Sequence, residues 1–331
     1  MTNPERDPAE LRLGPGGDGP RLEVLGPREV PLGGLRAMTV RRTLPQRQRS
    51  LIGAWCFVDH YGPDLVTETG GMQVSPHPHT GLQTVSWLFG GEIQHRDSAG
   101  HHAPVRPGEV NLMTAGRGIS HSEVSTAATR LLHGAQLWVA LPEESRHTDP
   151  GFEHYAPPRV QGPGWRARVF LGAALGDTSP VTTYTPLLGA EIVLETGGSV
   201  TVTVDPAYEH GVLVDSGVLT VENLDAKPSD LVYAAPGLAS LTLTAHDEPV
   251  RMLLLGGPPF GEPIVMWWNF VGRTHDEIVR YRSEWQAQIT RDGAVLRDSR
   301  DVAAGRFGVV DDPLPPIPAP ELPNARLKER R

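Results

Sequence analysis

From about Leu22 onward, short apolar runs alternate with turn signals for most of the chain. LRAMTVRRTL, LIGAWCFVDH, TVSWLF, IQHRDSAGHH and PGEVNLM make a first block that closes near Trp165. ARVFLGAAL, AEIVLE, SVTVTV, HGVLVDSGVLTVEN, SLTLTA and VRMLLLGG make a second. Ser199 to Val204 alternates at period two, as a strand with one buried face does. Gly90 with Gly91, and Ala99 with Gly100, read as hairpin breaks. Each block contains strand, glycine turn and strand followed by a Pro-Gly step (Pro107 and Gly108; Pro236 and Gly237). The pattern predicts an all-β protein of two tandem barrels related by an internal repeat.

One segment departs from this rhythm. HDEIVRYRSEWQAQI places Ile278, Tyr281, Trp285 and Ile289 on one helical stripe, and Thr274 with Glu277 forms a capping box before it. A C-terminal helix packing its stripe on a barrel is expected there, with Trp267 and Trp268 filling the contact. The expected boundaries are a flexible lead over 1–20, a first barrel over 21–165, with Gln161 to Gly164 as the divide, and a second over 166–270. A helix and closing segment over 271–310 and a proline-rich mobile tail over 311–331 complete the chain.

Composition removes several function classes. With 30 Lys+Arg against 39 Asp+Glu the net charge is −9, and no basic run tracks phosphates, so direct nucleic-acid binding is not expected. No apolar stretch is long enough to span a bilayer, and the N-terminus lacks a secretory pattern. The single cysteine, Cys56, sits in an apolar run and suits a reducing cytoplasm as a buried, unreactive thiol.

Ten of the thirteen histidines fall between His60 and His154. Within that stretch Pro76-His77-Pro78-His79 puts two imidazoles at i and i+2, the same face of a strand. His121-Ser122-Glu123 repeats the spacing with a nitrogen and an oxygen donor. Two such strands facing each other inside a barrel give three imidazoles and one carboxylate, a set suited to a divalent first-row metal. Without thiolates, a structural tetrathiolate zinc site is excluded.

HPHTGLQTVSWLFGGEIQHRDSAG followed by PGEVNLMTAGRGISHSE resembles the pirin family of the cupin superfamily. RTLPQRQRSLIGAWCFVDHYGP, LHGAQLWVALP, GGPPFGEPIV and GRFG fit the same pattern, so the similarity runs over roughly 35–310. The resemblance implies a bicupin with one metal, usually iron(II), in the first barrel, held by His77, His79, His121 and Glu123. It also implies quercetin 2,3-dioxygenase chemistry on a flavonol with O2, with Glu123 accepting a proton. A redox-sensitive regulatory protein that binds a partner protein is the alternative, and a purely structural metal a third. Gln83 stands where cupins usually carry a glutamate, a change expected to alter hydrogen bonding beneath the site. The second barrel has only His210 near the equivalent position, so no second metal is expected.

The remaining candidates have plainer expectations. His95, with Arg96 and Asp97, is expected to place a turn; His101 and His102 are expected to be solvated. His60 reads as a satisfied structural histidine, and His133 and Gln136 as core-strand residues. Arg117 reads as a loop brace and Met113 as apolar wall.

Overall fold

A computed structural model of the protein describes residues 11–13, 22–32 and 38–324. The doubled pattern becomes two barrels of one plan. In the first, a seven-stranded sheet runs in the order Gly151–Tyr155, Val110–Thr114, Leu82–Gly90, Leu131–Ala140, Trp55–Leu65, Met38–Leu44 and Arg28–Leu32. Its partner is a four-stranded sheet ordered Gln73–His79, Ile119–Ser125, Ile93–Asp97 and His102–Val105. The second barrel repeats seven strands and four, with Ser199–Thr203, Ser240–Ala245, Leu219–Val221 and Leu224–Ala226 as its smaller sheet.

The two seven-stranded sheets pack face to face. Val85, Trp87, Ala135 and Leu137 of the first meet Phe170, Leu213, Leu253 and Leu255 of the second in one buried cluster. Trp87 stacks on Phe170 at 4.6 Å and donates its indole N–H to Glu191 Oε2 at 2.7 Å. Alternation explains the arrangement. In Leu131–Ala140, Ala135, Leu137 and Val139 face the neighbouring barrel, while Trp138 belongs to the buried cluster inside the first.

Strand pairing departs from the expected divisions. Leu22–Leu25 pairs with Leu231–Ala234 and so completes the second barrel, not the first. Val160–Gly162 pairs with Trp165–Leu171, so Gln161 to Gly164 encloses a hairpin turn of the second barrel. A Gly-Pro-Gly turn signals a reversal, and reversals inside a sheet look the same in sequence as those between domains. In the expected lead, Leu11–Leu13 pairs with Ile264–Met266; the rest of 1–20 lies outside the described residues.

The helix forms over His275–Ile289, its N-cap Thr274 accepting from Glu277 N–H. Glu277 reaches back to the N–H of Arg273, one residue earlier than a capping box requires. Ile278, Tyr281, Trp285 and Ile289 are buried with Trp267, Trp268, Phe270 and Phe307. No helix among the described residues is long and apolar enough to cross a membrane.

The tail departs from expectation as well. Residues 309–324 are not loose: they cross the outside of the first barrel as a strap, while 325–331 lie outside the described residues. Ile317 N–H donates to Pro76 O at 2.8 Å, and Trp285 Nε1–H donates to Ile317 O at 2.8 Å. Ser122 Oγ donates to Asp312 Oδ2 at 2.7 Å, and Arg96 lies 3.6 Å from the same carboxylate. Proline-rich sequence predicts an extended chain correctly but says nothing about whether a surface is waiting for it. Asp312→Ala should destabilise the protein by about 2–3 kcal/mol in urea unfolding, because Ser122 and Arg96 lose a buried carboxylate. An unchanged midpoint would mean that this contact does not hold the strap.

Candidate metal centre

Antiparallel register builds the site. Gln73–His79 pairs with Ile119–Ser125 so that His77 lies opposite His121 and His79 opposite Ile119. The i, i+2 spacing then turns His77 and His79 to the same side, and His121 meets both. Ring centroids are 4.3 Å apart for His77 and His121, and 5.0 Å for each of the other two pairs. Ligand atoms of the three lie within 4.8 Å of one another, and all three residues are fully buried.

The outer nitrogens decide what the inner ones can do. His77 Nδ1 lies 2.9 Å from Ser75 O, and His79 Nδ1 lies 3.2 Å from Asn269 O. A carbonyl only accepts, so each Nδ1 carries the proton and each Nε2 presents a lone pair. His79 Nε2 and His121 Nε2 face each other at 3.1 Å, and His77 Nε2 has no hydrogen-bond partner among the described residues. Burial pushes all three imidazoles well below their ordinary range, so they are uncharged at neutral pH. Buried lone pairs aimed at one point cannot satisfy one another. They fit a divalent cation, and the all-nitrogen set admits several first-row metals.

Glu123 follows His121 on the same face and is 1% exposed. Its carboxylate lies within 4.8 Å of ligand nitrogens of His121 and His95, though not within that spacing of all three imidazoles of the triad. Ser86 Oγ approaches Glu123 Oε1 at 3.4 Å and Gln136 Oε1 at 2.9 Å. His79 is backed by a ladder of rings: Trp138 stands edge-on at 5.1 Å, Phe57 stacks on Trp138 at 4.0 Å, and Arg42 lies 4.3 Å over Phe57. Arg42 in turn forms a buried two-pronged ion pair with Asp59, at 2.7 and 2.9 Å.

Gln83 does not sit under the site as expected. It points toward the second barrel, bonding Thr114 Oγ1 at 3.0 Å and Thr182 O at 3.4 Å, because odd positions of its strand face that way with Val85 and Trp87. Arg117 does brace its loop, pairing with Asp149 at 3.0 Å. Met113 is buried wall, and Cys56 is buried with its thiol pushed up to about 12 by desolvation.

Two further clusters were not anticipated as clusters. His60 Nε2 and His133 Nε2 approach Asp215 Oδ1 at 2.7 and 2.6 Å across the barrel interface, while Arg251 Nε holds Asp215 Oδ2 at 2.6 Å. The contact from His133 is close but bent away from hydrogen-bond geometry. Burial alone would raise the Asp215 carboxyl; the two imidazoles and Arg251 outweigh it and hold it far below the usual range. Here the outer nitrogens face donors. His60 Nδ1 meets Ser229 Oγ at 3.0 Å and Arg41 Nη2 at 3.4 Å; His133 Nδ1 meets Arg251 Nη2 at 3.4 Å. Guanidinium groups only donate, so the protons sit on Nε2 and no lone pair is left for a metal. This cluster is a clasp between barrels.

The other cluster surrounds His95, which is 3% exposed and lies beside His121 instead of shaping a turn. Asp97 does place the turn as expected, its Oδ1 accepting from the N–H groups of Ala99 and His101, but Arg96 leaves for the strap and the Asp97 carboxylate meets His95 and His101 instead. His101 is half-buried against Phe152, not solvated as expected, whereas His102 is exposed. The missed signal was legible: His95 and Asp97 are spaced i, i+2, like the ligand pairs.

In the second barrel His210 is buried alone, with no partner for either ring nitrogen among the described residues. Burial lowers it from 6.5 to about 4. The unfolded chain therefore takes up this proton first, and its contribution to stability is present above pH 6.5 and lost as pH falls toward 4. H210F should lose about 3 kcal/mol less between pH 7.5 and 4 than the parent in urea unfolding. Equal losses would show that His210 is not the titrating group.

Family models independently match the two barrels: Pirin over residues 37–139 and the Pirin C-terminal cupin domain over 189–290. A Pseudomonas aeruginosa protein named "Putative quercetin 2,3-dioxygenase PA1205" is 42% identical over 301 residues, covering 90% of this chain and 91% of that protein. The crystal structure of a quercetin 2,3-dioxygenase from Acinetobacter baumannii superposes with a TM-score of 0.83 at 37% identity, over 92% of this chain and 96% of that one. The nickel(II) complex of the Escherichia coli pirin YhhW shares the fold at 19% identity and a TM-score of 0.57, over 72% of this chain and 99% of that one. Two barrels, the imidazole cluster in the first and both family models agree: the chain is a bicupin and belongs to the pirin family.

Proposed function

We propose that this pirin is a dioxygenase with one iron(II) ion held by His77, His79, His121 and Glu123, opening the C-ring of flavonols such as quercetin with O2 and releasing carbon monoxide. The observation that carries the reading is the triad of buried, uncharged imidazoles whose Nε2 lone pairs converge while every carbonyl-bound Nδ1 points away. The names borne by relatives of similar length support the choice of substrate.

A bound iron(II) ion would supply a Lewis-acid point at which a flavonol oxygen and O2 meet. The chain's residues do the rest. Glu123 is the group placed to accept the proton of the 3-hydroxyl, since its carboxylate adjoins His121 and is braced by Ser86. Trp138, edge-on to His79 and backed by Phe57, belongs to the apolar packing inside the first barrel and shields the imidazoles from bulk water. The carbonyl contacts at His77 and His79 fix ring orientation before any metal enters, so the ligands pay little ordering entropy on loading.

Three measurements test this reading. Protein purified anaerobically and loaded with iron should consume quercetin absorbance only when oxygen is admitted. H79A should lose the metal while keeping its far-UV spectrum; full retention of metal would refute the site. E123Q should lower kcat by about 10²–10⁴-fold, the usual loss for a general base. If E123Q keeps both metal and full turnover, Glu123 is not the base. Full iron occupancy with no oxygen-dependent loss of quercetin would instead favour the redox-responsive partner-binding reading.

A further inference from the structure

We infer that His95 and Asp97 form a positioning dyad that sets the tautomer and orientation of His121, and thereby the affinity of the metal centre. This rests on the metal reading above.

Of the three imidazoles, His121 is the one whose outer nitrogen has no carbonyl to meet. Its Nδ1 lies 3.4 Å from His95 Nδ1. Two ring nitrogens can bond only if one carries the proton and the other does not. Because His121 Nε2 must present its lone pair to the shared point with His79, its proton sits on Nδ1. His95 Nδ1 must then accept, so the His95 proton sits on Nε2. That nitrogen lies 3.2 Å from Asp97 Oδ2, an obligate acceptor. The three groups permit one consistent assignment: Asp97 fixes His95, and His95 fixes His121. With the carboxylate gone, His95 is free to carry its proton on Nδ1, facing the Nδ1 proton of His121.

Sheet register makes the dyad possible. Ile93–Asp97 pairs with Ile119–Ser125 so that Asp97 lies opposite His121 and His95 opposite Glu123. Asp97 is itself immobilised: its Oδ1 accepts from the backbone N–H of Ala99 at 2.9 Å and of His101 at 3.0 Å. Phe152 stacks on His95 at 4.8 Å with an interplanar angle of 30°, which fixes the ring plane. His95 meets His121 at its outer nitrogen, not at Nε2, and is absent from the cluster of the three imidazoles, so the dyad reaches the centre through His121, while the His95 ring also lies within 4.8 Å of the Glu123 carboxylate. Groups in this outer position tune metal affinity by 10–100-fold in well-studied sites.

Competition between the apoprotein and a chromophoric chelator for Co(II), read together with the visible absorption of the Co(II) protein, tests the dyad. H95F keeps an aromatic ring against Phe152 but offers no acceptor; its Co(II) affinity should fall 10–100-fold and its absorption bands should move. H95N places an amide oxygen near the position of Nδ1 and should restore affinity and bands toward those of the parent. D97N should weaken binding in the same direction, and it carries the test if H95F fails to fold. Equal affinity in H95F, D97N and parent overturns the dyad, as does an H95N variant no better than H95F. Wild-type protein without Co(II) uptake, or H77A with unchanged affinity, overturns the metal reading instead.

Discussion

Burying three uncharged imidazoles around one point is the constraint on which the rest of this protein turns. Each ring has one donor and one acceptor nitrogen, and neither can be left to chance in a dry interior. The first barrel meets the demand by pinning outer nitrogens to Ser75 O, Asn269 O and His95 Nδ1, which come from three different segments. The inner nitrogens are then left with lone pairs and no protein partner that could satisfy all of them. Such unmet buried polar groups cost free energy, and these could hold an ion.

The same reasoning separates the histidine clusters, which look alike as lists of residues. At the triad, outer nitrogens meet acceptors. At His60, His133 and Asp215 they meet Arg41, Ser229 and Arg251, so the protons sit on the inner Nε2 atoms, facing the shared carboxylate. Clusters of buried imidazoles that look alike as residues therefore differ in their protons: one leaves lone pairs that could hold a metal, and the other is an inter-barrel clasp. The charge of the neighbouring guanidinium groups decides between them.

Support for the strand that carries His121 also comes from outside the barrel. Ser120 and Ser122 flank His121 and point away from the site, donating to Phe307 O at 2.8 Å and to Asp312 Oδ2 at 2.7 Å. The strap is in turn held by Trp285 of the helix. A segment about 190 residues downstream thus pins the outer face of the strand whose inner face carries His121 and Glu123. Packing, hydrogen bonding and site geometry converge on that one strand.

Period-two alternation determined that His77 with His79, and His121 with Glu123, would share a face; it also determined the two β blocks, and heptad-like spacing with Thr274 determined the helix. These are local properties, set by backbone geometry within a few residues. Tertiary structure alone decided that Leu22–Leu25 completes the second barrel, that the proline-rich strap lies on the first, and that His95 stands behind His121 while Gln83 faces away. Those outcomes depend on partners from 26 to more than 200 residues distant in the chain, and no local pattern encodes which nitrogen of a buried ring will meet a donor and which an acceptor. Sequence put the imidazoles on one face; the fold set their protons.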